Sequence, residues 1–382
     1  MPPLLYLFAL TNLVIGTGAF VLSGVIKLAA EGLDVSVAAA GQAMTVYAFA
    51  SAFLAPLLMV ATGRWPRKRA LQAALLLYGL GSLLCALAPN LLTLLAGRVM
   101  MGTGAMFTPL AAGLTVTMVP PELRARALAL SFLGIGMSYA IGLPLGTWLG
   151  FNFGWRAPIW LVAACSVLAL AACSALLPTK INAPGASFDG LAGLLRNAPV
   201  VRVLLRSLLY FMAIFSVFSY VGPVLQALNP LSANALAATL VMFGLAGVMG
   251  TFLGGWSADR FGTVPTATVN LLVLCAMMAV VPLTRGHYLL CVATFIVWGL
   301  AGFGLMAPQQ SRLAQLMPMQ TPLLLSLNAS MMYAGTAMGA AISGALLGSL
   351  GFDRLAWVGL PLALLALGTL WWDKPLSSEM SV

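Results

Sequence analysis

LPTKINAPGASFDGLAGLLRNAPVV, residues 177–201, is the longest polar interruption in the chain, and it divides the rest in two. It mixes Pro, Gly and Asn with Lys180, Asp189 and Arg196, so it does not read as a segment buried in hydrocarbon. On its N-terminal side lie six apolar blocks, 156–177, 126–150, 91–118, 69–88, 39–61 and 4–26. On its C-terminal side lie six more, 203–226, 233–256, 264–284, 287–310, 322–349 and 354–372. About 20 apolar residues carry a helix across a bilayer core. Without water there, backbone groups must pair within their own segment, which selects helices; a barrel would alternate in runs of about ten. Of 382 residues, 62% are hydrophobic and 7% charged, where a soluble domain carries about 25% charged. The expected fold is an all-α integral membrane protein of twelve transmembrane helices. The first block lacks a basic leader and runs straight into a second, so it reads as a span and not as a signal peptide.

The blocks on either side of the interruption repeat. Shifted by 196 residues, block 4–26 falls on 200–222, 39–61 on 235–257 and 91–118 on 287–314. TGRWPRKR (62–69) meets ADRFGTVP (258–265), with Arg64 on Arg260, and Val119-Pro120 meets Met317-Pro318 at a shift two residues longer. The expected organisation is an N-terminal six-helix bundle at 1–178, a loop at 179–202 and a pseudo-symmetric six-helix bundle at 203–382. Parallel repeats of this kind place a binding site at the midplane between the halves, reached from either side as the halves rock.

The net charge of +10 is a topology signal. With the N-terminus inside, thirteen basic residues fall on the inner side: Arg64, Arg67, Lys68, Arg69, Arg124, Arg126, Lys180, Arg196, Arg202, Arg206, Arg260, Arg312 and Lys374. Four fall outside, Lys27, Arg156, Arg285 and Arg354, and Arg98 lies within a span. This bias places both termini in the cytoplasm. Nucleic acid would need clustered charge with stacking aromatics, so no nucleic-acid partner is expected; the bilayer is. The five cysteines sit in apolar blocks without ligand spacing, so neither metal nor cofactor is expected.

Three stretches carry finer information. After block eight come Gly255, Asp259, Arg260 and Gly262; after block two, Arg64, Arg67 and Lys68 remain while Met59, Gly63 and Pro66 stand where the Gly, Asp and second Gly would be. In block four, Arg98 is followed by Gly102 and Gly104. It lies seven residues in, roughly 10 Å deep. In block five come Gly134, Gly136, Gly142, Pro144, Gly146 and Gly150. At these positions the chain resembles the major facilitator superfamily, and within it the bacterial twelve-span drug–proton antiporter group that includes arabinose- and purine-efflux-like permeases. The resemblance implies the major facilitator fold in a bacterial inner membrane. It implies a conformational latch at Arg64, Arg67, Lys68, Gly255, Asp259, Arg260 and Gly262, with the N-terminal copy weakened by the lost Asp. It also implies export, through the span-five motif at Gly142, Pro144 and Gly146, although Leu143 and Thr147 replace two of its glycines. As plain chemistry that motif is a packing face. Arg98, as a buried cation, either serves substrate or proton coupling, or it pairs with backbone carbonyls.

What is missing narrows the function. The acids Glu31, Asp34, Glu122, Asp189, Asp259, Asp353, Asp373 and Glu379 all read as loop or tail residues, so no span is expected to carry a carboxylate, and Gly16-Thr17-Gly18-Ala19-Phe20 stands where many relatives carry a glutamate. His287, the only histidine, lies at an outer loop. A cation binder would want a buried acid, so the expected cargo is a neutral or anionic small molecule: a drug, sugar or nucleoside. Protons are an open coupling partner; an uncoupled facilitator or uptake carrier is the alternative. An enzyme would need a constellation facing a cavity, and none is present. A sensor or scaffold is the alternative outside transport. Nothing asks for more than a monomer. Cavity candidates, by span position, are Asn12, Thr17, Tyr47, Arg98, Tyr139, Tyr210, Phe211, Trp298, Gln309, Asn328 and Tyr333.

Overall fold

The computed structural model describes residues 2–120, 123–178, 193–194, 196–317 and 320–372. Lys180, Asp189, Glu122, Pro318, Asp373, Lys374 and Glu379, and most of the loop expected at 179–202, lie outside the described residues. Twelve helices among them are long and apolar enough to cross a membrane: Pro3–Gly32, Val37–Ala61, Arg67–Ala86, Leu91–Thr115, Leu130–Phe153, Ala157–Leu176, Ala198–Phe218, Ala233–Phe261, Thr263–Thr284, Tyr288–Leu316, Leu323–Leu350 and Phe352–Trp371. They are spans one to twelve below. Twelve crossings put both termini at one end of the bundle, here the terminus end; the opposite end is the far end.

Span starts are written in capping residues. Ser36, Asn90, Asn197 and Ser232 each accept the backbone N–H three residues on, at 3.0 to 3.3 Å. Each satisfies one of the unpaired donors of a helix start, a contribution of about 1 kcal/mol. Asn197, with Pro199 in the first turn, starts span seven five residues before its apolar run begins. Proline suits that position because it has no N–H to lose. The early start corrects the sequence reading of Arg206: counted as an inner-side charge, it is in the third turn of a spanning helix and 1% exposed.

The repeat is visible in the backbone itself. Span one leaves helical geometry at Val25 (φ −120, ψ 17), and span seven breaks at Tyr220 (φ −123, ψ 26) before continuing as Val221–Leu228. Span four is interrupted between Gly104 and Phe107, and span ten between Gly304 and Met306. Spans five and eleven end on Gly154 (φ 88) and Gly351 (φ 74), a conformation that costs glycine nothing and other residues a good deal. Six helices thus recur as six, in two pseudo-symmetric bundles.

The bundles meet at the far end. Val37–Phe49 of span two lies on span eleven, Leu143–Phe153 of span five on span eight, and span one on Val221–Leu228. Toward the terminus end, Ala55–Ala61 of span two, Phe107–Thr117 of span four and Met306–Leu316 of span ten pack chiefly within their own halves. The far end is therefore the closed end. At its centre a Cβ on Gly222 would lie 2.8 Å from the Gly24 carbonyl carbon, so the two kinked helices touch backbone to backbone. Tyr220 reaches between Gly41 and Gly344, and Trp148 Nε1 donates to Asn234 Oδ1 at 3.0 Å across the same seam.

Candidate functional site

Arg98 is 1% exposed and is held by backbone. Its Nη1 donates to Gly18 O at 2.6 Å, Nη2 to Ala19 O at 2.7 Å and Nε to Ala43 O at 3.0 Å. Its guanidinium lies over the Tyr47 ring, 4.5 Å from the centroid. The acceptors belong to spans one and two, so one side chain of span four clamps three helices. Gly102 brings span four onto the span-two backbone at Tyr47, and Gly104 onto span three at Ala74 and Tyr78. Ser51 Oγ adds a bond to Gly102 O at 3.1 Å. Of the two readings of Arg98, the geometry matches the carbonyl-paired one.

Between the halves the space is filled by rings. Phe20 of span one stacks on Tyr139 of span five at 4.7 Å and meets Phe215 of span seven at 5.6 Å. Tyr139 contacts Phe218 at 5.6 Å and Phe303 at 4.7 Å. Phe218 continues to Phe243 of span eight, and Phe243 to Trp298 of span ten, each at 5.4 Å. Each such pair adds about 0.5–1.5 kcal/mol beyond area burial, so the rings join the halves as well as line the space between them. Tyr139 of span five is within electrostatic reach of Tyr47, Tyr210 and Tyr333 of spans two, seven and eleven. Tyr333 is half-buried, and Tyr139 and Phe211 are 5% and 7% exposed. Phe303 of the ring cluster is also half-buried, and Phe20 is 8% exposed. The Tyr47 hydroxyl is buried without a hydrogen-bond partner.

The polar candidates fall into two matched knots. In the N-terminal half, Asn12 Nδ2 donates to Ser131 O at 2.8 Å, and Thr108 Oγ1 donates to Asn12 Oδ1 at 2.7 Å, tying spans one, four and five. In the C-terminal half, Ser207 Oγ donates to Asn328 Oδ1 at 2.6 Å and Gln309 Nε2 to Ser207 Oγ at 3.2 Å, tying spans seven, ten and eleven. Arg206 joins this knot, with Nη1 on Gln309 Oε1 at 3.1 Å and Nε on Thr369 Oγ1 at 2.8 Å. Asn12, Gln309 and Asn328 are thus engaged with protein. Trp298 packs on Phe243 and Phe295 inside the C-terminal half.

The span-five glycines form a packing face. Cβ atoms on Gly134, Gly142, Gly146 and Gly150 would run into Ala9, Thr17, Val21 and Val25, along one face of span one. Thr17 therefore faces span five; Pro144 opens the segment Leu143–Phe153 after a π-bulge at Ser138–Gly142. At the loop after span two, Lys68 Nζ donates to Leu177 O at 2.8 Å, Arg67 is buried and Arg64 exposed. At the loop after span eight, Asp259 and Arg260 are exposed on the last turn of the helix, Gly262 has φ 94, and Arg260 lies 5.7 Å from the Trp256 and Phe261 rings. Gly255 faces Ala307 of span ten.

Sequence reasoning put Tyr139, Tyr210, Phe211 and Trp298 among its candidates, and these share in the ring contacts. It missed Phe20, Phe215, Phe218, Phe243 and Phe303, which supply most of the ring surface. Phenylalanine in an apolar block carries no polarity signal, and of these only Phe243 (on Tyr47) and Phe303 (on Phe107) meet another ring across the 196-residue repeat. Among the described residues, the carboxylates Glu31, Asp34, Asp259 and Asp353 sit at the two ends of the bundle, and no three His, Cys, Asp or Glu residues come together as metal ligands.

Comparison with known proteins fits this geometry. The profile of the Major Facilitator Superfamily matches residues 8–321. The inner membrane transport protein YdhP of Escherichia coli K12 is 31% identical over 356 residues, covering 92% of this chain and 91% of its own. A probable sugar efflux transporter of Mannheimia succiniciproducens is 27% identical over 356 residues, covering 92% and 88%. Among solved structures, a bacterial homologue of the human lysosomal transporter Spinster, in an inward-facing and occupied conformation, superimposes with a TM-score of 0.79 at 15% identity, covering 96% of this chain and 95% of that one.

Proposed function

Because the chain belongs to the major facilitator superfamily of membrane transporters, we propose that it exports a neutral small molecule by alternating access, and that the described state is the one open to the cytoplasm. The observation that carries this reading is the ring cluster at the junction of the halves, closed toward the far end and built from Phe20, Tyr139, Phe215, Phe218 and Phe303. Such a surface suits a ring or apolar body carrying hydroxyl or carbonyl groups, since pockets of this kind bind through apolar contact with a few placed polar groups. Formal charge finds little counterpart there. Three of the five Arg98 donors are held by backbone carbonyls, and no described carboxylate lies within the core of a span. A relative named as a sugar efflux transporter supports both the neutral cargo and the direction. The positive-inside bias supports cytoplasmic termini, and the relative named as an inner membrane protein supports that membrane.

A second reading, facilitated diffusion without proton coupling, is favoured by the same lack of a buried carboxylate. One experiment separates the two. Cells without their own pumps express the wild type or Tyr139→Ala, and accumulation of a panel of sugars, nucleosides and neutral aromatic drugs is followed with and without an uncoupler. Export predicts lower accumulation of at least one neutral compound, reversed by the uncoupler and by Tyr139→Ala. Equilibration that is faster in both directions and indifferent to the uncoupler supports the facilitator. Transport of charged compounds alone would overturn the neutral-cargo reading.

A further inference from the structure

On the outer surface of the N-terminal half, spans three and six leave a groove of about 250 Å³ between them. It runs from Leu75 to Leu83 on span three and from Trp160 to Leu170 on span six. Its floor is low because of one residue: a Cβ on Gly79 would meet only the Ser166 Cβ, at 3.6 Å. The single hydroxyl there is already used, Ser166 Oγ donating to Val162 O at 2.7 Å, so the lining is apolar in effect. Both helices are spans, and the groove lies in their far-end halves, so it opens into bilayer hydrocarbon.

A charge stands at one end of it. Arg156 precedes Trp160 by one helical turn, at the far-end mouth of the groove. Its Nη2 donates to Ala88 O at 2.7 Å, just past the end of span three, and its guanidinium lies 4.3 Å from the centroid of the Trp155 ring. The bond to Ala88 ties the far ends of the two helices that wall the groove and uses one of five N–H donors. A cation held at the membrane interface above an apolar slot matches a phosphate head above an acyl tail.

We propose that this groove is a lipid site, taking one acyl chain of an anionic phospholipid whose phosphate sits on Arg156. It is distinct from the ring cluster between the halves and does not depend on the cargo. Lipid bound there bridges the far-end halves of spans three and six and covers Gly79.

The test uses the full chain purified from the membrane and reconstituted in phosphatidylcholine vesicles with a trace of photoreactive lipid, labelled on the acyl chain and carrying either a phosphatidylglycerol or a phosphatidylcholine head. Labelled peptides are mapped by mass spectrometry. The expected result is labelling concentrated on 75–83 and 160–170, with about a fivefold preference for the anionic head, the value of one interfacial cation. Gly79→Leu fills the groove and removes that concentration, while its elution profile stays that of the wild type. Arg156→Gln keeps the labelling and loses the head-group preference, which covers the case of a Gly79 variant that fails to fold. Labelling spread evenly over the bilayer-facing surface overturns the proposal, as does labelling unchanged by both variants. A dimer cross-linked through 75–83 that Gly79→Leu dissolves also overturns it, by giving the groove to a second copy.

Discussion

Gly222→Ala tests how the far end is closed. The new methyl group would sit against the Gly24 carbonyl, 2.8 Å from its carbon and 3.1 Å from its Cα. Those neighbours are backbone of a kinked helix and cannot swing aside as a side chain would. Closing the far end then costs about 1–3 kcal/mol, the range for forcing extra methyl groups into packed interiors. The open state, in which spans one and seven separate, carries no such cost. The equilibrium therefore shifts toward the open far end by roughly 5- to 150-fold, at 1.4 kcal/mol per factor of ten. The readout is a cysteine placed at Ser343, which is fully buried in the described state, challenged with a membrane-impermeant maleimide from the far side. Its labelling rate should rise by the same factor in Gly222→Ala, and cargo turnover should fall because re-closing becomes difficult. If labelling and turnover both match the parent, the backbone contact between Gly24 and Gly222 does not govern closure.

Three further outcomes are expected. Trp148→Phe removes the hydrogen bond to Asn234 at the same seam and should speed the Ser343 cysteine in the same direction but less, by about two- to tenfold for a bond of roughly 0.5–1.5 kcal/mol; a slower rate would contradict its role as a clasp. Arg98→Ala strips the side-chain donors from the Gly18, Ala19 and Ala43 carbonyls, and at about 1.5–3 kcal/mol for each lost hydrogen bond to a charged group the thermal midpoint in detergent should fall sharply. Arg98→Lys should recover part of the loss, because an ammonium has donors but no rigid fork; a midpoint unchanged in Arg98→Ala ends the clamp reading. Gly142→Leu and Gly136→Ala should behave oppositely in size-exclusion profiles. The first drives a side chain into Thr17 and should leave little monodisperse protein, while the second meets only Val248 at 3.7 Å and should be tolerated or gain up to about 1 kcal/mol of helix propensity.

The architecture was legible because hydrocarbon imposes a length, and twelve blocks of that length leave few alternatives. Span starts were less so: Asn197 and Pro199 begin span seven inside what reads as a polar loop, since capping residues look like loop residues until a helix follows them. That offset is why Arg206 was placed on the inner side instead of inside the bundle. Of the candidate site, the hydroxyl-bearing residues were the ones the sequence offered: Tyr47, Tyr139, Tyr210 and Tyr333 stand out in apolar blocks. The phenylalanines do not stand out, and their contacts depend on where spans one and seven kink, which neither Val25 nor Tyr220 announces. Arg98 was visible as a buried charge. Its partners were not, because they are backbone carbonyls, which every residue has.

The Arg98 clamp bears on how the protein comes apart as well as on how it works. Spans one, two and four share a single guanidinium, so none of them can leave hydrogen-bonded register without releasing the other two. Local opening in such a region is cooperative, in contiguous units that exchange their amide protons together. The amides around Gly18, Ala19 and Ala43 should accordingly exchange as one unit, with a common opening free energy, and Arg98→Ala should split that unit into three helices that fray independently.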